Sequence, residues 1–263
     1  MSRPHVYTIV ALILAVSIGA LVYVFKSPSP LHITSSSNKS SSGSKTANPN
    51  NQTQTSSFNK NQYSLSDPTS QWVVVNKTRP LSPVSYAPSS LVVPTIPLRL
   101  SGSQGEMHVS SVMAPALEQM VSDAKTQNIL FDLQSGYRSY GLQVSVYGNE
   151  VSSHGQAIAD QESARPGYSE HQTGLAADLG TVSGQCEVAQ CFATTPEGIW
   201  LAANAYRYGF IIRYPSGKTN VTGYEYEPWH VRYVGVALAT QMHQTGAQTL
   251  EEFFGLPAAP TYL

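Results

Sequence analysis

The sequence predicts a single compact α+β domain over residues 67–263, a small antiparallel sheet with flanking helices. Two patterns carry that expectation. Short apolar runs of strand length, such as "ILFDL", "FIIRYP" and "WHVRYVG", are bounded by turn residues. Between them lie stretches whose apolar residues recur at helical spacing and whose ends carry capping signals. No segment repeats itself, and 263 residues suit one sizeable core.

Ahead of the domain, residues 7–25, "YTIVALILAVSIGALVYVF", carry no charge. As a helix this stretch just crosses a hydrocarbon core of about 30 Å. Residues 1–25 are therefore expected to form an uncleaved, single-pass membrane anchor, with the bulk of the chain extracytoplasmic. A cleaved signal peptide is the alternative. Against it, the apolar core exceeds the usual length and no clear A-x-A site follows. Residues 26–66 are rich in Ser and Asn and poor in large apolar side chains. They cannot bury enough surface to offset the entropy of ordering, and are expected to be a disordered tether.

Order is expected near Trp72. The β-rich "WVVV" runs into prolines at 80, 83, 88 and 94, so the chain should wrap the domain in extended form. Val112, Met113, Ala116, Leu117, Met120, Val121 and Ala124 form a helical stripe. "ILFDL" (129–133) reads as a buried strand, "SGYRS" as a turn, and a helix follows from about Tyr140. Residues 155–170 read as loop and "GLAADLG" as a strand. Thr194 or Thr195, ahead of Pro196, caps a helix that runs to about Tyr208 and stops at Gly209. "FIIRYP" is a strand, "GKTNVTGYEYE" a turn or hairpin, and "WHVRYVG" a strand. "VALATQMHQTG" and "TLEEFFG" are closing helices.

Net charge is −1, so no strong field favours nucleic acid. Charged residues are only 12%, low for a soluble protein. The only cysteines, in "CEVAQC", lack the further ligands of a metal site. A local Cys186–Cys191 disulfide fits an exported domain, with two free thiols as the alternative.

Catalytic zinc takes about three protein ligands and keeps one open position. His171, Asp178 and His230 offer N, O and N donors. Gly174 allows a tight bend between the first two, and Glu227 lies three residues before His230. By spacing alone, each His reads as well as an ordinary core or surface residue.

Whole motifs say more. "SEHQTGLAAD" follows the S-x-H-x-x-G-x-A-x-D pattern of the VanY-type D-alanyl-D-alanine carboxypeptidases, a zinc peptidase family, and "EPWHVRY" resembles that family's E-x-W-H. "SGYRSYGLQ", "WLAANAYRYGFIIRYPSGK" and "TGYEYEPWHVRYVG" are similar to further family blocks, in family order, across about residues 72–235. The resemblance implies a zinc-peptidase domain. His171, Asp178 and His230 would bind Zn2+, and Glu227 would be general base in the attack of zinc-bound water. Arg138 would steady the scissile carbonyl. Tyr137, Ser139, Gln143 and Ser169 would line the substrate pocket. Arg165 would order the loop before His171 or meet a substrate carboxylate, and Trp229 would be core. The implied reaction removes C-terminal D-alanine from peptidoglycan stem peptides, at a D,D or an L,D bond. A non-catalytic zinc-containing wall-binding module and a peptidoglycan endopeptidase are the alternatives.

Overall fold

The computed structural model of the protein describes residues 58–263. The expected anchor and the tether as far as residue 57 lie outside the described residues. Among the described residues no helix is long and apolar enough to cross a membrane. The last part of the expected tether is packed instead. Phe58 stacks on Trp72 and meets Phe253 edge-on, each with ring centroids 5.6 Å apart. Leu65 joins the same cluster. Polar composition hid this, because a few partly buried apolar side chains are enough to hold a short polar stretch.

The segment from Trp72 to Val75 is buried without forming a strand, as a wrapping segment should be. Short strands β1 (Leu91–Val92) and β2 (Val109–Ser110) pair antiparallel. Helix α1 (Ala114–Lys125) precedes β3 (Phe131–Ser135), which starts two residues later than expected, after a turn at Asn128. Helix α2 (Tyr140–His154) follows. Where a loop was expected, α3 (Gln156–Glu162) resumes after a break at Gly155, whose φ of 83° no helix accepts. Its buried side is little more than Ala159, so no apolar stripe announces it.

β4 (Ala176–Thr181) leads through the disulfide-bearing excursion to α4 (Pro196–Asn204). Thr195 rather than Thr194 caps α4, its side chain accepting from the Gly198 N–H. The last turn before Gly209 tightens into a 3-10 helix, Ala205–Tyr208. β5 (Phe210–Ile212) is followed by a short helix α5 (Thr219–Thr222) in place of a hairpin. β6 (His230–Tyr233), α6 (Val236–Thr245) and α7 (Leu250–Phe254) complete the domain.

The main sheet has the order β3-β4-β6-β5, antiparallel throughout. Period-two alternation gives it two unlike faces. Phe131, Leu133, Ala177, Leu179, Val231 and Phe210 join the core formed with α1 and α4. Asp178, His230 and Arg232 occupy the alternate positions and are buried polar residues. Their side of the sheet carries the candidate site.

Candidate active site

Strand register assembles the centre. Ser135, Asp178 and His230 are direct partners across β3, β4 and β6. A β-bulge between Leu133 and Ser135 aligns the first of them. Directly paired residues on one face of antiparallel strands lie close enough for side chains to meet. Just upstream of His230, its N–H donates to the Glu227 carbonyl (3.2 Å), closing a four-residue turn with Pro228 at the second position. That turn returns the Glu227 side chain toward His230. His171 arrives on the 3-10 turn Glu170–Thr173, which left-handed Gly174 ends just before β4.

The three side chains converge. Asp178 Oδ2 lies 3.3 Å from His171 Nε2, and Asp178 Oδ1 lies 3.1 Å from His230 Nδ1. All three are buried. His171 Nδ1 lies 2.6 Å from the Gly136 carbonyl and donates to it, which leaves the Nε2 lone pair facing the carboxylate. Asp178 Oδ1 has no hydrogen-bond partner although buried. A buried acceptor left without a partner calls for a cation, and N, O and N donors within 4.8 Å suit zinc. The residues present therefore fit the metal. Burial lowers the His171 pKa, against the pull of Asp178. Burial also opposes charge on His230, but Asp178 and Glu170 outweigh it and raise its pKa, so metal binding must displace a proton.

Glu227 Oε2 is 3.5 Å from His230 Nδ1. Burial, with Asp178 and Glu170 nearby, pushes its pKa up to about 8 despite His230 and Arg138. A carboxylate so raised accepts and returns protons near neutral pH.

Arg138 is held at several points. Its backbone N–H donates to the His171 carbonyl (3.1 Å). Its guanidinium donates to Ser135 Oγ (3.0 Å) and Gln143 Oε1 (3.2 Å), while its Nε, 3.6 Å from Glu106, has no hydrogen-bond partner. Gly136 is required here, since a Cβ would fall 2.2 Å from the His108 carbonyl oxygen.

A cavity of about 490 Å³ opens over the centre. Arg138 and Ser169 line it; Tyr137, Ser139 and Gln143 do not. Ser139 instead caps α2, accepting from the Leu142 N–H, and buried Gln143 ties Arg138 to the Ala164 carbonyl. Tyr137 continues the backbone ladder to His108. Arg165 pairs with Asp160 (2.8 Å) and lies over the Tyr262 ring, a loop-ordering arrangement. Trp229 is 9% exposed, belongs to the core and also edges the cavity.

Sequence reasoning passed over Glu170. Its Oε1 accepts from Arg213 Nε (2.9 Å) and Arg232 Nη1 (2.8 Å). Arg213 also forks onto Glu251, which accepts from Asn76. These four charged side chains are fully buried, with two charges of each sign. Glu170 Oε2, free of hydrogen bonds, faces His230 Nε2 at 3.6 Å, so this network backs the far nitrogen of that imidazole. Arginines at 213 and 232 inside apolar strand runs were the available signal.

Two imidazoles and a carboxylate converging at the floor of a cavity, with a half-buried acid beside them and a guanidinium in the wall, define a metallopeptidase-type site. Residues 106–236 match the family model "VanY: D-alanyl-D-alanine carboxypeptidase". The chain is 42% identical over 191 residues to YodJ of Bacillus subtilis strain 168, a carboxypeptidase by name, covering 73% of this chain and 69% of that one. It is similar to the solved LdcB LD-carboxypeptidase (TM-score 0.67, 42% identity, 72% of this chain and 87% of that one). It is also similar to a mutant of the vancomycin-resistance D,D-pentapeptidase VanY in complex with Zn(II) (TM-score 0.56, 31% identity, 69% and 97%). The chain belongs to the VanY family of D-alanyl-D-alanine carboxypeptidases, and it is an enzyme of that class.

Proposed function

We propose that the domain is a zinc-dependent carboxypeptidase that removes C-terminal D-alanine from peptidoglycan stem peptides. The observation that carries this reading is the convergence of His171, Asp178 and His230, with Asp178 Oδ1 buried and unpaired and Glu227 beside them. Zinc held by these three supplies Lewis acidity, which makes water easy to deprotonate near neutral pH. Glu227 takes the proton of the attacking water and then delivers it to the departing amine nitrogen. Arg138, fixed by Ser135 and Gln143, meets the negative charge that grows on the carbonyl oxygen. Ser169 would help to hold the substrate, a role supported by its position in the cavity lining. An extracytoplasmic domain tethered through residues 7–25 is part of the same proposal; the Cys186–Cys191 disulfide accords with it.

Greater likeness to LdcB than to VanY favours the L,D bond of a tetrapeptide over the D,D bond of a pentapeptide. Incubating the zinc-loaded domain with each stem peptide and weighing the products tests both points. Release of one alanine from the tetrapeptide is expected, with slower release from the pentapeptide. Binding without release from either would point to the non-catalytic module and overturn the proposal.

A further inference from the structure

Cys186 and Cys191 close a short loop, and the residues between them enter the cavity wall: Val188, Ala189 and Gln190 all line it. The loop is tied down on two sides. Away from the cavity, Glu187 pairs with Arg99 (2.7 Å), and the Gln185 carbonyl accepts from Thr181 Oγ1 (3.1 Å). At the cavity, Gln190 Nε2 donates to Glu225 Oε2 (3.1 Å), and the Glu225 N–H donates to the Gln161 carbonyl on α3 (3.4 Å). Glu225 thus links the disulfide loop to the α2–α3 segment, which supplies other walls through Val146, Ser163 and Ala164. It stands two residues before Glu227.

The backbone of this loop is in an unfavourable conformation. Cys186 has φ 56° and Val188 φ 43°. The left-handed region suits Gly or Asn and penalises a β-branched residue. Val188 is also 51% exposed, so it gains little from burial in return. Stability of the fold would be better served by glycine or asparagine at that position. Such outliers gather where a side chain must be presented to a ligand.

We infer that the disulfide-closed loop is a substrate-gripping wall. Val188 offers an aliphatic contact and Gln190 a polar one to the peptide chain flanking the reacting bond, and the disulfide holds both in place. The ligand class is a short peptide with small aliphatic side chains. This rests on the peptidase reading above for the identity of the peptide, and not for the existence of the wall.

The test measures binding rather than turnover. In a zinc-loaded Glu227→Ala background, tetrapeptide affinity is determined by calorimetry with and without Val188→Gly, and with and without the Cys186→Ser/Cys191→Ser pair. Each change is expected to weaken binding by roughly fivefold to tenfold, the effect of losing one partly buried aliphatic contact. Val188→Gly should leave the melting temperature unchanged or raise it, since glycine adopts the observed φ freely. Unchanged affinity in both variants, or a fall in melting temperature with affinity intact, would reduce the loop to a structural clasp and overturn the inference. Should the wild-type enzyme bind the peptide through this wall yet release no alanine, the peptidase reading fails and the wall stands.

Discussion

Glu227→Ala is expected to reduce D-alanine release by about 10²–10⁴-fold, the usual worth of a positioned proton-transfer group. The metal should remain bound, because the three ligand side chains are untouched. Two observations set this expectation. Glu227 lies 3.5 Å from His230 Nδ1, and its desolvated position pushes its pKa up to about 8. Glu227→Gln should be similarly inactive, as an amide fills the space but cannot accept the proton. Steady-state release of alanine, read beside zinc content by elemental analysis, checks both halves. Activity within tenfold of wild type would remove Glu227 from its role as base.

Glu170→Ala is expected to be the most damaging single change to stability. It strips the shared counter-charge from Arg213 and Arg232, both fully buried. Breaking a buried ion pair by deleting one partner costs about 3–5 kcal/mol, and here Arg232 is left without a carboxylate while Arg213 keeps Glu251. Denaturant melts of wild type and variant check the figure. Glu170→Gln preserves shape and should cost less, so it isolates the effect on the site. Without the carboxylate behind its Nε2, His230 is a poorer ligand, and zinc affinity should fall by about 10–100-fold. Zinc competition against a chromogenic chelator reads this directly.

Acid should weaken wild type in the same way. Burial alone would raise the pKa values of Glu170 and Glu251. Arg213, with Arg232 for Glu170, outweighs burial and holds both below the ordinary 4.5. The stability these carboxylates contribute is therefore complete above about pH 4.5 and is lost as pH falls through their lower folded values. Glu170→Gln should show a shallower decline over that range.

The site's outline was visible in the chain because its residues sit at fixed places on strands and turns. Asp178 and His230 fall on alternate, non-core positions of β4 and β6, so strand periodicity and the two motifs locate them together. Strands such as β4 and β6 and the capped helix α4 were legible for the same reason: their apolar spacing and end signals are local. What stayed hidden depends on partners distant in sequence. A Glu beside a His in a loop reads as solvated, and only the folded chain brings Arg213, Arg232 and Glu251 around it. Phe58 was invisible for want of Trp72 and Phe253, and α3 for want of an apolar stripe. Ser139 and Gln143 carry polar groups that suit a substrate, yet local geometry commits one to a helix cap and the other to bracing Arg138.

The most direct measurement is an anomalous difference map at the zinc edge, from crystals of the protein grown with one equivalent of zinc. A single strong peak lying among His171 Nε2, Asp178 and His230 Nδ1, with the Glu227 carboxylate adjacent, is the predicted result. A peak elsewhere, or these side chains turned apart with no peak among them, would contradict the account.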